Sequence, residues 1–255
     1  MASPRTPKTG LLRDWLSEAP FTLALSSSFF GFYAHCGIAA ALFEAGLVPA
    51  KVTGASAGAL VAGALASGLS PAEMAEICFA LAKEDFWDPG LGLGYLKGKK
   101  FAALLERHFV KDFSQTKIPL EVAVFDVLKA RTVFLKSGPL IPAVVASCAV
   151  PMLFHPVRIG NRLYLDGGIF EKPGFRAPAA ERVLCAFLTS QGWAGAYEVK
   201  TTSARFKANH KALRFDHLPS VRPHDLASGA KAFDAAYSRT RAALNQPSRG
   251  GVLAA

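Results

Sequence analysis

Ser56 stands in Gly54-Ala55-Ser56-Ala57-Gly58, a G-x-S-x-G pentapeptide between an apolar strand-like run and an apolar helix-like run. A serine hydroxyl attacks an acyl carbon only where the fold exposes it and a base removes its proton. A sharp strand-to-helix turn does the exposing. It packs the backbone so closely that only very small side chains fit two residues to either side. Lys51-Val52-Thr53 leads in and Ala59-Leu60-Val61-Ala62 leads out, so Gly54 and Gly58 read as the flanks of a nucleophile elbow. Such pentapeptides also arise by chance in flexible turns, and other residues must decide.

Two sources of a base are present. Asp166 ends an apolar run and is followed at once by Gly167 and Gly168. The two glycines let the backbone turn sharply and leave the carboxylate clear to accept the serine proton directly. An Asp-Gly turn also uses its aspartate merely as a cap. The alternative is a Ser-Asp-His triad, since His210, His217 and His224 all follow Asp166 in the chain. Against it, Ser56 follows only the second strand, whereas the triad hydrolases build more of their sheet before the elbow.

The elements that must position these residues alternate between strand and helix. Phe21–Ser26 reads as a buried strand, Ala34–Ala45 as a helix closed by Gly46, and Val48–Ala55 as a second strand ending in the Ser56 turn. Ser70-Pro71-Ala72-Glu73 has capping-box spacing and opens a helix to about Lys83. Phe86 to Gly98 is a glycine-rich apolar loop, followed by a helix over Lys99–Phe109. Leu120–Asp126 and Thr132–Lys136 read as paired strands, Leu140–Cys148 as a small-residue helix, and Val157–Ile159 with Arg162–Leu165 as a hairpin across Gly160-Asn161. Val183–Thr189 is a further strand. Beyond Gly195 the periodicity weakens and no element is assigned. The alternation implies an α/β architecture with a largely parallel sheet, in which reactive residues collect at the carboxyl ends of strands.

At 255 residues the chain can bury a full core, and 51% of it is hydrophobic. The longest apolar stretch, Ala55–Leu69, is interrupted by Gly58, Gly63 and Gly68 and reads as a core helix rather than a membrane span. Met1 to Lys8 is basic but lacks the apolar stretch and cleavage site of a secretory signal. Cys36, Cys78, Cys148 and Cys185 are widely spaced in apolar segments, as buried free thiols of a reducing cytoplasm would be. The net charge is +10, and from Lys200 to Ala255 ten Lys/Arg face three Asp. No zinc module, helix-turn-helix or aromatic RNA-binding pattern accompanies this charge, so no nucleic-acid partner is expected. A solvated basic surface or peripheral contact with an anionic membrane accounts for it.

Taken together, these motifs resemble those of the patatin-like phospholipases. Ala146-Ser147-Cys148-Ala149-Val150-Pro151-Met152-Leu153-Phe154-His155-Pro156 followed by Leu163-Tyr164-Leu165-Asp166-Gly167-Gly168 is similar to the family's A-S-x-A-x-P-x-x-F-x-P and Y-x-D-G-G block. Ala34-His35-Cys36-Gly37 and Leu42-Phe43-Glu44-Ala45-Gly46 look like the helix after the family's oxyanion loop. The resemblance spans about Phe21 to Phe175. It implies a three-layer α/β/α fold and a hydrolase of lipid acyl esters, of phospholipase A or lysophospholipase type. Ser56 would be the nucleophile and Asp166 the base, with no metal or organic cofactor. His35 and His155 would be packing residues.

The family's oxyanion loop is G-G-G-x-R/K-G, and Ser26-Ser27-Ser28-Phe29-Phe30-Gly31-Phe32 stands in its place. Ser27, Ser28, Phe29, Phe30 and Gly31 are therefore the candidate oxyanion residues, one glycine remaining where the family has several. The Phe29-Phe30-Phe32-Tyr33 cluster reads equally as the wall of an acyl groove or as core. Glu171-Lys172-Pro173 replaces an asparagine the family often places after its aspartate. The loop from Trp87 to Tyr95, with Lys97, Lys99 and Lys100, reads as a lid, an interfacial contact or a plain connection. The organisation expected is an N-terminal extension over residues 1–20, a hydrolase core over 21–195 and a basic part over 196–255 completing the same domain. The protein is expected in the cytoplasm, in part at membranes. A second reading stays open: a catalytically weak protein of this fold that binds lipid or a protein partner.

Overall fold

A computed structural model of the chain describes residues 10–189, 206–248 and 251–255. The basic segment Met1–Lys8 and the charges of Lys200, Arg205 and Arg249 lie outside the described residues. The described chain opens with α1 (Leu12–Ser17) and then alternates β1 (Thr22–Leu25), α2 (Phe32–Glu44), β2 (Lys51–Ala55) and α3 (Ala57–Ser67). An excursion follows through α4 (Pro71–Ala80), a short strand β3 (Gly94–Leu96) and α5 (Lys99–Glu106). β4 (Leu120–Asp126) turns back into β5 (Arg131–Leu135), and α6 (Leu140–Ser147) leads to β6 (Met152–Phe154) and the hairpin β7 (Val157–Ile159) and β8 (Arg162–Asp166). β9 (Val183–Leu188), β10 (His210–Phe215), α7 (Ser228–Leu244) and β11 (Val252–Ala254) complete it.

Neighbours in the run β11-β10-β9-β1-β2-β4 are all parallel, which makes the central sheet mainly parallel as expected. Antiparallel strands finish it at β4. β5 pairs with residues 122–126 of β4. Parallel β2 pairs with residues 120–123 and antiparallel β8 with residues 124–126. Both overlap the β5 pairing, so β2 and β8 share the edge of β4 opposite β5 and meet there end to end.

The interior strands are buried on both faces, and their sequences are correspondingly apolar throughout. In β9, Leu184, Ala186 and Leu188 join the main core with residues from each of the helices α1 to α7 described above, while Val183, Cys185 and Phe187 enter a second, smaller cluster with Ala24 and Ala212. Leu12 and Leu16 of α1 are within the main core. Local rules hold at the helix ends. Ser70 Oγ accepts the Glu73 N–H at 3.2 Å while Glu73 Oε2 accepts the Ser70 N–H at 2.7 Å, the two halves of the capping box. This helix ends at Ala80, short of Lys83, because Leu81 turns extended.

Candidate active site

The elbow is built on strain that its glycines permit. Ser56 sits at φ 53°, ψ −123° between β2 and α3, a conformation a side chain tolerates only where the surroundings impose it. A Cβ at Gly54 would run into the Gly58 backbone, and one at Gly58 would overlap the Leu25 carbonyl. Both flanking glycines are therefore dictated by close approach. Ser147, from the end of α6, locks the turn: its Oγ accepts the Ser56 N–H at 2.9 Å and donates to the Ala123 carbonyl at 2.6 Å. The Cys148 thiol lies 3.3 Å from the Ser56 carbonyl, and burial together with the Asp166 charge pushes its pKa up, keeping it a neutral donor.

Asp166 reaches this turn from the opposite direction. Ala55 is paired with Ala123 and Asp166 with Val124, so the ends of β2 and β8 face each other over consecutive residues of β4. The strand carrying Asp166 is antiparallel to β4 and β2, and its carboxyl end meets that of β2 head-on. Gly167 has no room for a side chain because the Ala123 carbonyl lies where its Cβ would be, and Gly168 is closed off by Ser27. Asp166 Oδ1 accepts the Gly168 N–H at 2.7 Å, while Oδ2 is buried without a partner among the described residues. Burial raises the Asp166 pKa to about 6, opposed by the neighbouring Ser56 hydroxyl and the Gly168 N–H. The carboxylate is thus ionised at neutral pH but far more basic than an exposed one.

Among the described residues no histidine is hydrogen-bonded to Ser56 or Asp166. His210 starts β10, in register through Val183 and Thr22 with Lys51, at the far end of the sheet from Ser56. His217 and His224 are exposed. His35 is fully buried and its Nε2 lies 2.8 Å from the Ser26 carbonyl; burial lowers its pKa to about 4, so it stays neutral. His155 packs over Gly92. No group of three or more His, Cys, Asp or Glu side chains among the described residues could hold a metal ion.

The rebuilt loop divides its candidate donors. Ser27 donates its N–H to the Lys172 carbonyl at 2.7 Å and Gly31 to the Ser28 carbonyl at 3.0 Å. The N–H groups of Ser28, Phe29 and Phe30 have no such partner among the described residues. The left-handed position falls on Phe30, at φ 53°, rather than on Gly31 at φ −72°. Gly31 is needed for space instead, since a Cβ there would press on Ser28 and Leu188. Lys172, in the Glu171-Lys172-Pro173 segment, thus holds the loop through its backbone carbonyl.

An apolar cavity of about 160 Å³ opens at these residues. Ser28, Phe29, Phe30, Phe32, Ser56 and Ala57 stand at its wall, and it runs between α3 (Leu60, Ala64), α4 (Met74, Ile77) and α5 (Phe101, Leu105). Phe29, Phe30 and Phe32 are therefore groove residues, whereas Tyr33 is 1% exposed and belongs to the core, stacked on Phe32 at 4.4 Å. The uncapped N-termini of α2 and α3 both border the cavity, through Phe32 and Ala57, and direct positive dipole ends toward it. Ser147 stood in the sequence only as part of the Ala146–Pro156 block, and its hold on the elbow rests on contacts between segments far apart in the chain.

Comparison with known proteins places this geometry. Residues 23–179 match the family described as Patatin-like phospholipase. The chain is 33% identical over 172 residues to uncharacterised NTE family proteins of Mycobacterium tuberculosis and Mycobacterium bovis, an alignment covering 65% of this chain and 47% of each relative. It thus spans about half the length of these relatives. The structure of VipD from Legionella pneumophila superposes with a TM-score of 0.58 at 15% identity, over 89% of this chain and 67% of that one, which is a likeness of fold.

Proposed function

The chain belongs to the patatin-like phospholipase family, and from that premise we propose that it hydrolyses lipid acyl esters through a Ser56–Asp166 dyad, as a phospholipase A or lysophospholipase. The observation that carries the reading is Ser56 on a positive-φ elbow in the wall of an apolar cavity, beside a buried carboxylate with one oxygen unpartnered among the described residues.

In this mechanism Asp166 takes the Ser56 proton as Oγ attacks the acyl carbonyl, whose chain lies in the cavity. The oxyanion is held by the Ala57 N–H and by the N–H groups of Ser28 to Phe30, reinforced by the two helix N-termini. Asp166 then protonates the leaving alcohol. In the second half it draws a proton from water, which attacks the acyl-Ser56 ester, and returns that proton to Ser56 Oγ as the acyl–oxygen bond breaks and the fatty acid leaves. No metal or organic cofactor has a role in these steps. The enzyme would work in the cytoplasm, at a membrane surface.

One observation favours the second reading, a lipid- or protein-binding relative with weak turnover: a phenylalanine occupies the left-handed position of the oxyanion loop. A fluorophosphonate probe separates the two. Labelling at Ser56 of the full chain is the expected result. A folded protein that resists labelling at high probe concentration would overturn the hydrolase.

A further inference from the structure

The loop between α4 and α5 is anchored at both ends to the wall of the cavity and bare at its tip. At one end Phe86 lines the cavity and meets the Phe30 ring edge-on at 5.9 Å. At the other, β3 pairs with β6, and the Leu96 carbonyl accepts the His155 N–H at 3.0 Å. The Asp88 carboxylate accepts the N–H groups of Gly98, Lys99 and Lys100 at 3.0, 2.7 and 3.0 Å, tying the loop to the first turn of α5. Gly90 N–H to the Tyr95 carbonyl (3.0 Å) and Lys97 N–H to the Asp88 carbonyl (3.1 Å) brace the tip from inside. This is a hydrogen-bonded projection rather than a hinged flap.

On this frame Leu91 is 101% exposed and Leu93 79%, and Met152, in register with Gly94 on the neighbouring strand, is 83% exposed. Single exposed aliphatics are ordinary on a protein surface. Three on a braced frame, beside a strand whose Phe154 lines the apolar cavity, form a patch that calls for a covering surface. Trp87 and Tyr95 pack edge-on at 5.6 Å beside it, amphipathic rings of the kind that settle at lipid headgroups. Lys97 and Lys99 are exposed and in no ion pair among the described residues, and the Lys97 stem lies over Gly90 at the base of the tip.

We propose that this loop is the surface on which the protein docks to an anionic phospholipid bilayer. Leu91, Leu93 and Met152 enter the acyl region, Lys97 and Lys99 meet the headgroup phosphates, and the cavity lined by Phe86 and Phe154 at the two ends of the loop is brought beside the membrane. The proposal rests on the lipid-hydrolase reading for its purpose, but its test does not. Interfacial binding combines buried apolar area with attraction to anionic headgroups, so both parts of the surface are addressable.

The test is sedimentation of the full chain with vesicles of phosphatidylcholine alone or mixed with phosphatidylglycerol. The wild type is expected to bind the mixed vesicles more tightly, and less so as salt rises. Leu91→Asp with Leu93→Asp should weaken binding by about tenfold or more, and Lys97→Glu with Lys99→Glu should erase the preference for anionic lipid. Both double variants should keep wild-type turnover of a water-soluble short-chain ester and wild-type labelling of Ser56. Wild type that ignores vesicles, or a Leu91/Leu93 variant that binds them as wild type does, overturns the proposal; the former would assign the patch to a protein partner. Loop-dependent vesicle binding by a chain that cannot be labelled at Ser56 would uphold the docking surface while removing the hydrolase.

Discussion

Ala55 and Asp166 end two strands that run toward each other along one edge of β4, the first opposite Ala123 and the second opposite Val124. This head-on meeting brings Ser56, one residue past Ala55, to a carboxylate 110 positions away in the chain. The placing of Ser56 against Asp166 is thereby set by backbone pairing, the stiffest framework the fold offers, rather than by a mobile loop.

Replacing either member of the dyad should remove turnover with the fold retained. Ser56→Ala and Asp166→Asn should each lower ester kcat by at least about a thousandfold, measured beside circular dichroism. Asp166→Asn should also raise Tm. Burying the Asp166 charge shifts its pKa from 3.8 to about 6, which corresponds to about 2–3 kcal/mol of strain relieved by the neutral amide at pH 7. A variant with wild-type activity would dismiss the dyad.

The pH dependence follows from the same shift. A base must be ionised to act, so kcat/KM should be level above pH 7 and fall about tenfold per unit below the free enzyme's pKa near 6. Stability should run the other way for this group: its folded pKa is raised, so its contribution is full below 3.8 and is lost as pH rises through 6. His35 opposes it. Its folded pKa is lowered to about 4, so its contribution is present above 6.5 and is lost as pH falls toward 4. Comparing denaturation of Asp166→Asn with wild type between pH 4 and 7 isolates the first effect, and an acid limb near pH 4 would argue against Asp166 as the base.

Ser147→Ala tests the lock on the elbow. It orphans the buried Ser56 N–H and the Ala123 carbonyl, at roughly 1–3 kcal/mol for each group, and should lower Tm. Because Ser147 positions Ser56 without lining the cavity, kcat should fall by about tenfold or more with KM nearly unchanged. A rise in KM at constant kcat would assign Ser147 to binding instead.

Ala64 borders the cavity on α3 and is 7% exposed. Ala64→Phe should obstruct the space a long acyl chain needs. The expected outcome is a drop in kcat/KM of about tenfold or more for long-chain esters, with short-chain esters and Ser56 labelling little affected. Equal losses across chain lengths would show that the acyl group lies elsewhere.

Much of the site was legible because its requirements are local. Gly54 and Gly58 are excluded from carrying side chains by contacts within one turn and the strand beside it, so five consecutive residues announce the elbow. Asp166-Gly167-Gly168 announces a turn for the same reason. The loop at Ser26–Phe32 was legible only as a departure. Gly31 is the residue whose type suggests a left-handed backbone, yet Phe30 adopts it and Gly31 answers to the crowding of Ser28 and Leu188. The C-terminal elements were illegible for a different reason. Gly229, Ala232, Ala236 and Ala243 face the core from α7, and residues this small carry little hydrophobic periodicity. They are small because α2 and α7 cross closely, with Gly37 against the Phe233 carbonyl.

By itself, then, the chain of residues marked the elbow at Ser56, the Asp-Gly-Gly turn at Asp166 and the alternation of strand and helix, since each is written within a few neighbouring positions. Tertiary structure alone decided that β8 would run against β4 and aim Asp166 at Ser56, that Ser147 would hold the elbow from 91 residues away, and that α3, α4 and α5 would leave an apolar cavity between them. Those outcomes depend on strand register and side-chain packing among segments that share no local pattern, and only the folded chain brings them into contact.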